Sequence, residues 1–212
     1  MTGTKRSYAD PCGVSRALDA VGERWALLVV RELSLGPLRF SQLRTGLPDI
    51  SPNVLSQRLR ELEEAGVVRR YRLDPPASTT VYELTDRGHD LDPVLQALGR
   101  WGAREPEITS RELSPVSFLR SLRVLLSPGA PDVTLALDID GEPFSLVIAD
   151  GIATARRGRS AMPAVTLTAD VATLRAVFLL EADPAALETA GLLRVSGDRQ
   201  IPLSSLFALP PR

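Results

Sequence analysis

Cysteine, histidine and lysine each occur once, as Cys12, His89 and Lys5. One cysteine cannot close an internal disulfide, so no covalent staple holds the fold, and a cytoplasmic protein is expected. One histidine and one cysteine also exclude the common zinc constellations, and neither a metal nor a cofactor is expected. Long apolar runs are missing: the longest, such as Ala26 to Val30, are far too short to cross a bilayer. The N-terminus, MTGTKRSYADPCG, has no apolar stretch behind Lys5-Arg6, so it does not read as a secretory signal. An excess of either charge is lacking as well. The net charge is −1, which argues against a protein that coats nucleic acid indiscriminately. A reader of specific DNA needs only a local basic face. Residues 1–110 hold 15 basic and 15 acidic side chains, so any such face must arise by segregation. All basic residues but Lys5 are arginine, a bias that suits planar bidentate contacts and that a high-GC genome would also produce.

What is present suffices for two hydrophobic cores. The chain has 212 residues, 44% hydrophobic against 24% charged, enough for one large domain or two of about a hundred residues. The pattern favours two: residues 8–104, a linker at 105–113 (EPEITSREL is 105–113, without periodicity), and residues 114–212. In the first half the expected order is helix Val14–Val21, helix Glu23–Leu35, helix Phe40–Leu47, helix 51–65, strands Val67–Leu73 and Thr80–Leu84, then a last helix. That helix is capped by Thr85 or Asp86 and carries Leu91, Val94, Leu95, Leu98 and Trp101 at helical spacing. In the second half Ser114-Pro115 opens a helix with Phe118, Leu119, Leu122 and Leu126 inward. VTLALDIDGEPFSLVIADGIATAR then alternates strictly, with Asp140-Gly141 and Asp150-Gly151 at two reversals. A strand at Val165–Thr168, a helix at Val171–Leu180, a short helical piece at Pro184–Ala190 and LLRVSGD complete it. The expected fold class is α+β: an N-terminal winged helix-turn-helix followed by an antiparallel-sheet α+β domain.

The winged helix-turn-helix expectation rests on SPNVLSQRLRELEEAGVVRRYRL, residues 51–73. Ser51 is a good N-cap and Pro52 a good first helical residue. At 100° per residue, Leu55, Leu59 and Leu62 form one stripe, while Asn53, Gln57 and Arg60 fall opposite it, flanked by Ser56. Those outward side chains carry the donors and acceptors that match base edges and phosphates. Upstream, Phe40-Ser-Gln-Leu-Arg44 supplies a short helix and TGLPDI a tight turn. Downstream, Gly66 stops the reading helix, and Arg69, Arg70 and Arg72 lie on a strand placed to reach flanking phosphate or minor groove. Arg39 and Arg44 are assigned to backbone or minor groove beside them. Ser41, Ser51 and Pro52 complete the expected DNA-binding set.

Residues 12–102 resemble the HxlR-type winged helix-turn-helix regulators. The matching motifs are the cysteine, G-x-[RK]-W at Gly22–Trp25, R-F-S-x-L, I-S-x-x-x-L-x-x-R-L-x-x-L-E-x-x-G, Y-x-L-T-x-x-G and the closing Trp-Gly. The resemblance implies a homodimer paired through the first and last helices of the domain, binding double-stranded DNA at an inverted repeat. It also implies oxidant or electrophile sensing at Cys12, where a helix N-terminus favours the thiolate. The alternative for Cys12 is a small buried residue packing the first helix. The alternating strands and VTLTADVATLRAVFLLEADP are similar to sterol-carrier-type domains, which implies an apolar effector lodged among Phe118, Leu122, Phe144, Val177 and Phe178. The alternative there is a filled core. No nucleophile–base arrangement or phosphate-cradling glycine loop is present, so an enzyme is not expected. His89 reads as a solvated helix residue, and Asp138 and Asp140 as turn chemistry. A hydrophobic-ligand carrier with a vestigial DNA module is the second reading of the whole chain.

Overall fold

The computed structural model describes residues 7–102 and 113–209. The chain divides into two compact units, Met1–Leu95 and Gln96–Arg212. Residues 105–112 of the expected linker lie outside the described residues.

The first unit contains α1 (Gly13–Val21), α2 (Ala26–Leu33), α3 (Phe40–Gly46), α4 (Pro52–Glu64), β1 (Val68–Arg72), β2 (Thr80–Leu84) and α5 (Asp86–His89), and the division falls within α6 (Asp92–Gly102). Its core gathers Val29, Val30 and Leu33 of α2, Leu43 of α3, and Leu55, Leu59 and Leu62 of α4, each at most 1% exposed. Burying a leucine of this kind contributes about 1.5–3 kcal/mol, so the leucine stripe fixes which side of α4 faces outward. The β1–β2 hairpin is antiparallel from Val68 opposite Leu84 to Arg72 opposite Thr80. Leu38 pairs with Tyr82 on the other side of β2, through Leu38 N–H to Tyr82 O at 2.9 Å and Tyr82 N–H to Leu38 O at 2.8 Å. The hairpin is thereby tied to the segment that leads into α3.

Two helix boundaries differ from expectation. α2 begins at Ala26 rather than Glu23, because Trp25 adopts φ +78° and ψ −17°, a left-handed conformation that cannot continue a right-handed helix. The last helix is two pieces. Pro93 has no N–H to give the carbonyl of His89, and its ring would crowd that carbonyl. The chain therefore turns at Asp90–Leu91 and restarts at Asp92. The break also divides the apolar residues expected on one stripe. Leu91 and Leu95 pack against the core of the first unit, whereas Val94, Leu98 and Trp101 are 45%, 45% and 66% exposed.

The second unit adds α7 (Pro115–Val124), β3 (Val133–Ile139), β4 (Glu142–Ala149), β5 (Ile152–Arg157), β6 (Val165–Ala169), α8 (Val171–Leu179), α9 (Pro184–Thr189), β7 (Arg194–Gly197) and a 3-10 turn at Leu203–Ser205. Ser114 caps α7 by accepting the Ser117 N–H at 3.1 Å, and Asp170 caps α8 by accepting the Thr173 N–H at 2.7 Å. Both two-residue reversals have positive φ throughout, at Asp140 and Gly141 (+53°, +81°) and at Asp150 and Gly151 (+51°, +71°). Mirror-image turns of this kind match the twist of paired strands, and aspartate with glycine tolerates them.

The sheet order is β5-β4-β3-β6-β7. The expected antiparallel sheet is corrected in one pairing: β6 lies parallel to β3, with Leu135 opposite Val165 and Leu137 opposite Leu167, while the other pairs are antiparallel. After the β3–β4–β5 meander one edge of β3 remains open. The chain returns across residues 158–164 to fill it, entering in the direction of β3. Alternating residues reveal which side of a strand is buried but not which neighbour it chooses, so the sequence pattern missed this. Leu135, Leu137, Phe144, Leu146, Val165 and Leu167 are buried on one side of the sheet. α7 packs along β5 and beside α8. Leu126, expected to face inward from α7, lies beyond the helix end, half-buried and bridged to Phe207.

Candidate nucleic-acid interface

α3 and α4 are joined by a turn whose two apolar residues, Leu47 and Ile50, are each 3% exposed. Leu47 N–H bonds Leu43 O at 3.0 Å, and Ile50 N–H bonds Leu47 O at 3.1 Å. These contacts fix the angle between the helices without relying on loop stiffness. At the start of α3, the Arg39 N–H donates to Gln42 Oε1 at 2.9 Å. At the start of α4, Ser51 Oγ accepts the Val54 N–H at 3.3 Å, with Pro52 in the first turn. A second device sits beneath the turn. Glu32 is 2% exposed and takes the Arg31 guanidinium at 2.9 and 3.1 Å. Its Oε2 lies where a Cβ on Gly46 would approach to 2.5 Å. A buried carboxylate therefore occupies the space that the last glycine of α3 leaves open.

All twelve expected DNA-binding residues are exposed: Arg39, Ser41 and Arg44 around α3; Ser51, Pro52, Asn53, Ser56, Gln57 and Arg60 on α4; and Arg69, Arg70 and Arg72 on β1. On α4 a line of polar contacts runs along the outer surface. Arg60 Nη2 donates to Gln57 Oε1 at 2.5 Å, and Gln57 Nε2 donates to Glu61 Oε1 at 2.6 Å. The other Glu61 oxygen takes Arg58 Nη1, which also lies 3.7 Å from Glu23 Oε2. Glu61, Arg58 and Glu23 were not among the expected residues. Their spacing (57 to 61, 58 to 61) was a readable signal, since residues three and four apart are neighbours on a helix.

The hairpin sorts its arginines. Arg69 is opposite Glu83 and donates Nε and Nη2 to one carboxylate oxygen at 2.9 and 2.7 Å. Glu83 holds the Arg69 pKa above the ordinary arginine value, first by these hydrogen bonds and then by its charge. Arg70 lies 6.0 Å over the Tyr82 ring and Arg72 lies opposite Thr80. With side chains alternating along a strand, Arg70 and Arg72 share one side and Arg69 takes the other. The pairing of Arg69 depends on Glu83, 14 residues further along the chain and across the hairpin, and composition could not show it.

Cys12 is exposed, which speaks against the alternative that it packs as a small buried residue. It occupies the N-cap of α1, where the N–H groups of Val14 and Ser15 lower the thiol pKa. Its own N–H donates to Asp10 Oδ1 at 3.0 Å, and Ser15 Oγ donates to Asp10 Oδ2 at 2.7 Å. Those two bonds hold the Asp10 carboxyl below its usual pKa.

Phe118, Leu122, Phe144, Val177 and Phe178 are each 0% exposed. Phe118 and Phe178 stack with centroids 6.3 Å apart, and Phe178 meets Phe207 edge-on at 5.3 Å. Phe118 and Leu122 lie on α7, Val177 and Phe178 on α8 and Phe144 on β4, all buried, and the structure brings Phe118 and Phe178 together. His89 is exposed in α5, and Asp140 is a turn residue with positive φ. Among the described residues there is no group of three or more His, Cys, Asp or Glu side chains arranged to hold a metal ion. No described helix is long and apolar enough to cross a membrane.

Comparison with known proteins bears on the first half. Residues 20–110 match a protein family described as HxlR-like helix-turn-helix. The chain is 41% identical over 86 residues to the HTH-type transcriptional regulator YvaP of Bacillus subtilis, a match covering 41% of this chain and 80% of that protein. It is 36% identical over 91 residues to an HTH-type transcriptional regulator of Methanothermobacter thermautotrophicus, covering 43% of this chain and 70% of that protein. Among solved structures, the redox regulator HypR in its oxidized form shows 30% identity over 46% of this chain and all of the HypR chain, with a TM-score of 0.43.

Proposed function

Because the chain belongs to the HxlR family of DNA-binding helix-turn-helix transcriptional regulators, we propose that it acts as a homodimer that reads an inverted-repeat operator through α4. Asn53, Ser56, Gln57 and Arg60 face base edges in the major groove. Arg39, Arg44, Arg70 and Arg72 hold phosphate or minor groove, and Ser41, Ser51 and Pro52 line the approach. The observation that carries this reading is the two-sidedness of α4: Leu55, Leu59 and Leu62 are wholly buried while Asn53, Ser56, Gln57 and Arg60 are exposed. A helix anchored by one side and polar on the other fits a groove about the width of an α-helix. Val14 and Leu18 of α1 are 67% and 42% exposed, and Val94, Leu98 and Trp101 of α6 form an exposed stripe at i, i+4 and i+7. These two helices supply the apolar surface for pairing with a second copy, which sets half-sites about one DNA turn apart.

Two control inputs belong to the same proposal. Cys12, exposed and with its thiolate favoured, responds to oxidants or electrophiles. The C-terminal unit, similar in pattern to sterol carriers, responds to an apolar effector. Because Phe118, Leu122, Phe144, Val177 and Phe178 are each 0% exposed, an effector that reaches them does so by displacing the elements around them. Such a ligand regulates only if the DNA-binding and non-binding states differ in affinity for it. Selection of bound sequences from random DNA tests the core of the proposal: an inverted repeat is the expected result, and failure to enrich any sequence overturns it. Binding of an apolar compound with no operator binding would favour the carrier reading instead.

A further inference from the structure

The polar line on α4 occupies the very side chain that the proposed function assigns to base reading. Gln57 is held at both ends of its amide: the oxygen accepts from Arg60 at 2.5 Å and the nitrogen donates to Glu61 at 2.6 Å. This arrangement has one stable sense. Turning the amide over would set its NH2 group against the Arg60 guanidinium and its carbonyl against the Glu61 carboxylate, replacing two attractions with two repulsions. Of the two flanking groups, Glu61 is the more firmly seated. Its side chain is 28% exposed and its second oxygen is held by Arg58, whose own side chain is 12% exposed and also reaches toward Glu23 in the turn that precedes α2. Arg60, exposed, can turn from Gln57 toward the groove when DNA docks. Glu61 stays.

We propose that Glu61 is a positioning residue for sequence reading, which locks the Gln57 amide in one sense and thereby sets the base pair that Gln57 prefers. The inference rests on α4 being the reading helix. The amide keeps enough valence to read while it is held: a primary amide has two N–H donors and two acceptor lone pairs, and Arg60 and Glu61 use one of each. The remaining donor and acceptor suit the N7 acceptor and N6 donor of adenine. Because the sense of the amide is fixed, donor and acceptor meet the groove in a fixed order. One orientation of an A·T pair matches that order and the reversed pair does not. Without Glu61 the amide turns freely and accepts either. The carboxylate itself contacts no base: it specifies by holding another side chain still.

Selection from random DNA with the full-length protein, followed by affinity measurements on single-position variants of the selected site, tests this. The wild-type chain, Glu61→Gln, Gln57→Ala and the double variant are compared, with thermal unfolding confirming that each is folded. Gln57→Ala identifies the position that Gln57 reads. At that position Glu61→Gln is expected to reduce a preference of about tenfold or more to about twofold, while other positions keep theirs. In the Gln57→Ala background the same change at Glu61 is expected to alter nothing, which separates positioning from a general effect on the helix. The inference is overturned if Glu61→Gln retains the wild-type preference, or if it shifts preferences equally with and without Gln57. If the wild-type chain selects no motif, or if Gln57→Ala leaves every position unchanged, the assignment of α4 as the reading helix fails first, and this inference with it.

Discussion

Gly88 backs directly onto the carbonyl of Val67: a Cβ at Gly88 would lie 2.2 Å from that oxygen and 3.0 Å from the Leu84 Cβ. The neighbouring Thr85 closes the same junction, donating its hydroxyl to Gly66 O at 2.6 Å and accepting the Gly88 N–H at 3.2 Å. α5 is thus seated on the base of the hairpin by the close approach of Gly88 to the Val67 carbonyl and by the Thr85 hydroxyl. Gly88→Ala must displace backbone rather than a side-chain tip, and a loss of about 1–3 kcal/mol in urea unfolding is expected.

Beneath the helix-turn-helix, Gly46→Ala should also destabilise, here by pushing the Glu32 carboxylate away from Arg31, at a cost of about 1–3 kcal/mol. The obstacle is a side chain, so the effect should depend on it. In a Glu32→Ala background the added methyl group should cost distinctly less, and equal costs in both backgrounds would show that Glu32 is not the obstacle.

On DNA, Gln57→Ala should relax base preference by about 1–3 kcal/mol at one position. Arg70→Ala should weaken all sequences alike and reduce the salt slope by about one. Arg69, engaged by Glu83, should behave otherwise: Arg69→Ala changes the slope little, whereas Glu83→Gln releases the guanidinium and steepens it. Fluorescence anisotropy between low and moderate salt, on operator and random duplexes, distinguishes these outcomes.

For Cys12 the direction is set by the Val14 and Ser15 N–H groups, which lower the thiol pKa in the folded chain. The rate of alkylation by iodoacetamide follows the thiolate. Its half-maximal pH should therefore be lower for the folded protein than for the same chain in urea. Coincident profiles would show that the N-cap does not activate the thiol.

Pairing through α1 and α6 predicts that Leu98→Glu together with Trp101→Ser yields a monomer with unchanged helical content. Analytical ultracentrifugation at micromolar concentration reads this directly. A persistent dimer would place the pairing surface elsewhere.

Much of the first unit was legible because the period of its apolar residues and its turn chemistry agree. Leu55, Leu59 and Leu62 fix the inner side of α4, Ser51 and Pro52 fix its start, and in the second unit each Asp-Gly pair marks a reversal. Pro93 was legible too and passed over, because the apolar spacing on either side of it suggested one continuous helix. Trp25 was not legible: its positive φ arises where the ring packs and cannot be read from residue type. Nor was the place of β6, which depends on a vacancy left by strands thirty residues earlier. At the interface, the sequence showed which side chains face outward, and only coordinates showed which of them restrain one another.

The insertion of β6 beside β3 has a consequence for truncation and for synthesis. A chain that stops near residue 160 has the β3–β4–β5 meander complete, yet the central strand exposes a full row of unmet N–H and C=O groups. Open borders of that kind recruit strands from other molecules. Shortened versions of the C-terminal unit should therefore aggregate, and during translation this half of the protein stays vulnerable until β6, Val165–Ala169, has emerged to pair with β3.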